Sequence, residues 1–441
     1  MSLKSKAIPS QSTLVGSITE WLVDEALGSP DIVDMFSETC KRLYDVGIPI
    51  GRAMVTWPTL HPIVEVESAV WRRNNGVSFE QIYHHAEMTE NWLNSPFKYL
   101  LDNKSEVMRR HLAGPGKLLD FKVLESFAAQ GFTDYLAMTT EFEMPSTRDE
   151  HDPRGLLVSW TTDRDGGFTD EDIWALRRVQ RRFAVACKTV IQSRIARNIA
   201  DTYLGVTASR RVLSGQIRLG DGESTRAVVL YSDLRRSTQL AESLTREAFI
   251  AHLNSYFECV AGAAIATGGE VLDFIGDAVL AIFPLTAGSQ AGAPLMVDGQ
   301  TDEAVKNATA AVAEAFSRAE AACEIRRKAG LPDLEFGVAL SVGEVMFGNI
   351  GVPERLTFSV IGPTVNEVAR IEKLTKVVKR PVLATTEIAS TAPDLWESVG
   401  HYDLTGIDHP IELFAWKHDK LPCMPVEGQD APAEEKNALT A

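Results

Sequence analysis

Apolar residues along this chain switch between two periodicities, and the switches mark its elements. Residues 155–160 (GLLVSW) form a short apolar run opened by glycine and predict a strand. From Thr169 the spacing lengthens to that of a helix, through Ile173, Leu176, Val179, Phe183, Ala186, Val190, Ile191, Ile195, Ile199 and Leu204. Thr169 with Asp172 three residues on predicts a capping box at its start. Neither glycine nor proline interrupts until Gly205, so one long helix is expected. Its first half can pack on a sheet of its own block; as a whole it is a candidate rod leading to the next.

The second half of the chain reads differently. Residues 227–231 (AVVLY) predict a buried strand that ends in Ser232-Asp233. A helix is expected over 246–266, stopped by Gly268-Gly269. Residues 270–274 and 278–283 flank the turn Ile275-Gly276-Asp277 and predict a β-hairpin. Residues 285–300 read as a Gly/Ala-rich loop, and 302–328 as an Ala-rich helix ended by Gly330. Residues 336–342 and 344–350 flank Gly343 and predict a second hairpin. Residues 358–361 are extended, and Pro363 suits the first turn of a helix running to about 375. This order predicts an α+β, ferredoxin-like core.

Composition breaks divide the chain into a loose N-terminus (1–19), a folded block (20–195), a helical and turn-rich linker (196–225, ending in GQIRLGDGEST), a second block (226–418) and a disordered tail (419–441). With 441 residues, 45% hydrophobic and 24% charged, the chain can bury real cores, which excludes a fibrous or wholly disordered protein. Asp and Glu outnumber Lys and Arg by 60 to 44, for a net charge of −16. That balance argues against a nucleic-acid polymer or an anionic membrane as partner. No run of 18 apolar residues appears and the N-terminus has no apolar leader, so neither a membrane span nor export is expected. The five cysteines (Cys40, Cys187, Cys259, Cys323, Cys423) are scattered without a C-x-x-C pair. This fits a reducing cytoplasm rather than a disulfide scaffold or zinc site.

Two places could carry chemistry. Asp233 ends a buried strand and Asp277 lies in a hairpin turn. If the strands pair, two carboxylates meet at one sheet edge, where Mg²⁺ is commonly held together with substrate phosphates. Asp is also an ordinary turn residue, and spacing alone does not decide. Asn366 and Arg370 stand four apart on a predicted helix and share a face. Arg suits charge on a transferring phosphoryl group and Asn the orientation of a sugar; a solvated polar face is the other reading.

Longer motifs decide between these readings. YSDLRRST (231–238) resembles the first metal motif of class III nucleotidyl cyclases, F-S-D-x-x-G-F-T, and GEVLDFIGD (269–277) resembles their second. VMFGNIG (345–351) and FSVIGPTVNEVARIE (358–372) are similar to the family's G-N-I-G and Y-T-V-I-G-x-x-V-N-x-A-x-R-L-E. The resemblance covers nearly all of 226–418, in order. It implies that Asp233, Asp277 and the Leu234 carbonyl hold two divalent cations, Mg²⁺ or Mn²⁺. It implies that the ribose 3′-oxygen attacks the α-phosphorus and pyrophosphate leaves. Arg370 would stabilise the α-phosphate and Asn366 would place the ribose. Thr238 and Arg355 occupy nucleotide-side positions, the latter open also to an ordinary exposed-loop reading. In this family the Asp pair and the Asn/Arg pair come from different chains, which implies a head-to-tail homodimer.

The sequence departs from the family at the base-reading positions. The adenine-reading Lys falls at Asp273 and its partner at Ser359. An ionised carboxylate cannot donate to adenine N1 but can accept from guanine N1–H and N2–H, and Ser serves either base. The family resemblance makes ATP, giving cyclic AMP, the expected substrate, with GTP as the alternative. Arg236 and Ser237 replace the Gly and Phe of the first motif, so a catalytically silent nucleotide-binding regulator is a third reading. Thr405-Gly406 lacks a basic residue that many relatives carry before the glycine.

The first block more loosely resembles a GAF-type sensor domain. The resemblance rests on residues 43–55, LHP (60–62), GFTDY (131–135) and TDRDGGF (162–168). It implies an unknown small-molecule effector or a ligand-free dimerisation module, with the long helix and the segment to Arg211 carrying the signal, its two copies as a parallel coiled coil. His61, His84 and His111 are candidate haem ligands, against surface or capping roles. Trp57, Trp71, Trp92 and Trp160 could line a pocket or pack the core.

Overall fold

The computed structural model describes residues 11–83, 89–143, 155–220, 222–285 and 298–417. It divides into two compact units, Met1–Tyr203 and Leu204–Ala441. Among the described residues no helix is long and apolar enough to cross a membrane.

The N-terminal unit contains α1 (Gln11–Ala26), α2 (Ile32–Asp45), β1 (Arg52–Pro58), β2 (Val64–Arg72), β3 (Gly76–Tyr83), α3 (Glu90–Leu93), α4 (Pro96–Asp102), β4 (Val107–His111), α5 (Lys122–Ala129), β5 (Asp134–Glu141), β6 (Gly155–Thr162) and α6 (Asp170–Leu204). Its six strands form an antiparallel sheet in the order β3-β2-β1-β6-β5-β4. One face buries α1, α2 and the first half of α6. The other packs against α4 and α5. The expectation of a loose segment over 1–19 is corrected from residue 11 onward. Val15, Ile18 and Leu22 recur at helical spacing and are buried in the core, so α1 is held by packing that its polar first residues do not reveal.

Two of the sequence motifs of this unit meet at one buried carboxylate. Asp134 accepts from Arg109 Nη2 at 2.7 Å and from the Phe168 amide at 3.0 Å, joining 131–135 to 162–168. The capping box of α6 is present: the Asp172 amide donates to Thr169 Oγ1 at 3.2 Å and the Thr169 amide to Asp172 Oδ2 at 2.8 Å. His61 Nδ1 accepts from the Ile63 and Val64 amides, a loop-capping role. His111 lies beside Asp134, and His84 lies outside the described residues. Trp57, Trp71 and Trp160 are buried in the core, and Trp92 packs partly buried against α4 and α5.

The C-terminal unit follows with α7 (Val206–Leu213), β7 (Gly222–Leu234), α8 (Ser237–Ser243), α9 (Arg246–Ala266), β8 (Glu270–Ile275), β9 (Ala278–Pro284), α10 (Asp298–Lys328), β10 (Phe336–Val352), β11 (Arg355–Ile361), α11 (Pro363–Val378), β12 (Val382–Thr385), α12 (Thr386–Thr391), β13 (Trp396–Tyr402) and β14 (Ile411–Trp416). The sheet runs β13-β14-β12-β10-β7-β9-β8, with β11 on the outer part of β10. Val228, Leu230 and Leu234 of β7 face α9 and α10. Ala227 and Val229 face α11, so alternation along one buried strand serves two cores. This is a mixed α+β sandwich.

Two expectations are corrected here. Residues 336–342 and 344–350 are not a hairpin: β10 passes straight through Gly343 and pairs with β7 along its length. Gly343 is there for close approach, because a Cβ would fall 3.0 Å from Thr364 Cγ2 and nearer still to its hydroxyl. The hairpin is β10–β11, beyond Val352. The linker also ends sooner than 225. Long β10 offers free ladder positions, and Gly222 to Thr225 pair with Gly348 to Val345. Asn349 Nδ2 then donates to the Gln216 and Arg218 carbonyls at 2.9 and 3.2 Å, tying the preceding segment down.

His252 on α9 carries a pH dependence. It is fully buried and its Nδ1 accepts from the Arg326 guanidinium. Burial first, and the Arg326 charge second, push it down to about 4. The unfolded chain, titrating near 6.5, binds that proton more readily. The resulting stability is complete above about pH 6.5 and is lost as pH falls toward 4, about 3 kcal/mol in all. In urea unfolding at pH 7.5 and 4.5, His252→Gln is expected to show a smaller acid loss than the parent. An equal loss in both would remove His252 as the cause.

Candidate active site

β7 lies between β10 and β9, and its C-terminal end sets the site. Ser232 is buried and accepts from the Tyr256 hydroxyl at 2.9 Å, which fixes the strand one residue before Asp233. Alternation turns Asp233 to the α11 side. Asp233 pairs with Ala278, the first residue of β9. Asp277 therefore sits in the β8–β9 turn next to it, after Gly276 with its positive φ of 65°. The Leu234 amide approaches the Asp277 carbonyl at 3.4 Å. Asp233, Leu234 and Asp277, widely separated in sequence, thus converge.

The electrostatics report the same convergence. Burial and then the Asp277 charge raise the Asp233 carboxyl above its ordinary value, opposed by Lys376 and Arg235. Tyr231 is raised by burial and by the charges of Asp233, Glu372 and Asp277. Lys376 Nζ stands 3.2 Å from Asp233 Oδ2. Two half-buried carboxylates that repel each other, with only oxygen donors, fit a hard divalent cation. Among the described residues no group of three His, Cys, Asp or Glu side chains converges. A cation here would take the two carboxylates and complete its shell with phosphate oxygens and water.

The other candidate residues are placed as follows. Asn366 is exposed in the first turn of α11, after Gly362 and Pro363. Arg370 is half-buried, its guanidinium running past Gly406. Asn366 and Arg370 are each six residues before Glu372 and Lys376, about 240° around the helix. They therefore lie on a different face of α11 from the one that reaches Asp233. Asp273 is half-buried on β8 opposite Leu280, beside a bulge, and Ser359 is half-buried on β11 opposite Gly348. β8 and β11 approach each other although they do not pair. Arg355 is exposed at the start of β11, and Thr238 is exposed in the first turn of α8.

Arg236, at the glycine position of the F-S-D-x-x-G-F-T motif, sits in the left-handed region at φ 55°, and its guanidinium pairs with Glu335. Its charge is thus engaged at the rim of the loop. Sequence reading missed Arg235, Gly337, Glu372 and Lys376. The spacing of Glu372 and Lys376, four apart on a predicted helix, was the available signal.

Two carboxylates thus meet at one edge of an α+β sandwich, with Asn366 and Arg370 on a separate face of α11. Residues 222–408 match the family model described as the adenylate and guanylate cyclase catalytic domain. The C-terminal unit thus contains a class III adenylate/guanylate cyclase catalytic domain. The chain is 28% identical over 193 residues to an adenylate cyclase of Anabaena cylindrica, covering 44% of this chain and 35% of that protein. It is 28% identical over 242 residues to an uncharacterized protein of Mycobacterium tuberculosis, covering 54% of this chain and 41% of that one. The matches therefore span well under half of these relatives' own lengths. Among solved structures, the adenylyl cyclase CyaB from P. aeruginosa aligns at 23% identity and TM-score 0.37, covering 46% of this chain and 99% of that one. The guanylyl cyclase Cya2 aligns at 28% and 0.35, covering 44% and 93%.

Proposed function

We propose that the protein converts ATP to 3′,5′-cyclic AMP and pyrophosphate in a homodimer with shared sites, and that its N-terminal unit regulates this. The observation that carries the reading is the meeting of Asp233 and Asp277 at the end of β7. Two divalent cations held there would neutralise phosphate charge and make the ribose 3′-hydroxyl more acidic. Arg370 stabilises charge on the α-phosphate as the 3′-oxygen attacks and pyrophosphate departs. Asn366 orients the ribose, Asp273 and Ser359 meet the base, and Thr238 and Arg355 flank the triphosphate. The separate faces of α11 support sharing of sites between two chains. Each helix serves its own Asp pair with one face and is free to offer Asn366 and Arg370 to a partner with the other.

A carboxylate at Asp273 favours a second reading, GTP as substrate. Product formation by the full-length chain, offered ATP and GTP separately with Mn²⁺ and with Mg²⁺, decides. Cyclic AMP is expected; cyclic GMP as the main product would replace it with the second reading. Nucleotide binding without pyrophosphate release under both metals would instead make the protein a silent regulator. Asp273→Lys is expected to lower kcat/KM for GTP by about 10- to 100-fold, the cost of losing a charged acceptor for the guanine edge. An unchanged GTP/ATP ratio would remove Asp273 from base recognition.

For the N-terminal unit, the six-stranded antiparallel sheet with helices on both faces supports the GAF-like reading. A cavity of about 230 Å³ lies between the β1–β2 rim and α6, lined by Trp57, His61, Glu67, Gln81, Ile191 and Arg194. It supports a small-molecule effector at this unit.

A further inference from the structure

We infer that Arg235, Glu372 and Gly337 form a clamp that sets the position of the Asp233 carboxylate. This rests on the reading of Asp233 as a metal ligand. Arg235 and Glu372 are positioning residues: they act on the cation through Asp233.

Three observations carry the inference. First, α11 grips the metal strand with residues of successive turns. Glu372 Oε1 lies 3.1 Å from Arg235 Nη1. Thr375 accepts from the Arg235 guanidinium and donates to the Glu372 carbonyl. Lys376 contacts Asp233 itself at 3.2 Å. The Arg235 amide donates to the Glu335 carbonyl at 2.8 Å, so the backbone beside Asp233 is held as well.

Second, the sheet leaves out a side chain to make room for this pair. Gly337 stands directly opposite Asp233 in the β7–β10 register. A Cβ there would fall inside contact distance of the Arg235 guanidinium and the Glu372 carboxylate, and 2.8 Å from Thr375 Oγ1. The charged cluster fills the space that any other residue at 337 would occupy.

Third, the pair is largely buried, with the Glu372 and Arg235 side chains 1% and 15% exposed. A buried ion pair contributes little net stability compared with apolar residues of the same volume. Placing one two residues from a metal-ligating carboxylate makes geometric sense where it makes little energetic sense. Partners that orient a ligand in this way govern metal affinity by about 10- to 100-fold.

The test is Mn²⁺ binding by the nucleotide-free full-length protein, followed by the EPR signal of free Mn²⁺, alongside the thermal midpoint. Asp233→Asn is the control and is expected to abolish binding; parent binding that ignores this change would overturn the metal reading and the clamp with it. The double variant Arg235→Met with Glu372→Leu removes both charges at similar volume. It is expected to melt near the parent yet bind Mn²⁺ about tenfold or more weakly. A stable double variant with parental affinity, while Asp233→Asn has lost it, would overturn the clamp alone. Should the double variant fail to fold, Arg235→Lys decides. It keeps the charge but not the fork that reaches both Glu372 and Thr375. Weakened Mn²⁺ binding supports the clamp, and parental affinity overturns it.

Discussion

Asp277→Asn is expected to lower turnover by on the order of 10³-fold, and Asp233→Asn by at least as much. Each leaves one carboxylate where the charge of the cations and the triphosphate calls for two. The several kcal/mol that metal-held charge contributes to such a transition state correspond to that factor. The substitutions keep volume and shape. They also remove the repulsion from Asp277, which adds to burial in raising the Asp233 carboxyl, and this offsets the weakened Lys376 contact, so stability should change little. Loss of activity with an unchanged melting midpoint is the expected pair of results. The shared-site arrangement adds a sharper one. Asp277→Asn mixed with Arg370→Ala is expected to recover about a quarter of parental activity. Half of randomly formed dimers are mixed, and each mixed dimer has one intact site of two. Absence of recovery, with mixed dimers shown by mass, would mean that the site is completed within one chain.

Gly337→Ala carries the second large effect. One methyl group is added, at a position whose backbone any residue can adopt. The cost is steric and electrostatic: the methyl meets the Arg235 guanidinium and the Glu372 carboxylate. Either the pair separates and leaves buried charge uncompensated, or β7 and β10 part at Asp233. Breaking a buried pair costs about 3–5 kcal/mol. In a unit of this size that lowers the melting midpoint by about 10 °C or more. Activity should fall further than stability explains, because the displaced strand carries Asp233. A variant that melts with the parent and retains its turnover would show that β10 gives way freely at this point.

Much of the site was legible in the chain itself. Asp233 at the end of a buried strand, Asp277 in a hairpin turn, and Asn366 with Arg370 one turn apart are local patterns. Sequence spacing reports local patterns well. The same holds for α6, whose Thr169–Asp172 cap and uninterrupted apolar spacing to Leu204 predict it closely.

What the chain could not announce is what its glycines are for. Gly343 reads as a turn, yet β10 runs straight through it because Thr364 presses against that backbone from another element. Gly337 sits in an unbroken apolar run and gives no signal, because its partners Arg235 and Glu372 are remote in sequence. The start of α1 and the early start of β7 were hidden for the same reason: polar residues become ordered when a packed face or a free ladder edge is supplied from elsewhere. The sequence alone determined α6, α9, the β8–β9 hairpin, the placing of Asp233 at a strand end and Asp277 in a turn, and the shared face of Asn366 and Arg370, since each depends on spacing within one strand, turn or helix. Only the tertiary structure decided which helix face meets Asp233, and that a glycine opposite it admits a buried ion pair, because both depend on contacts between distant segments.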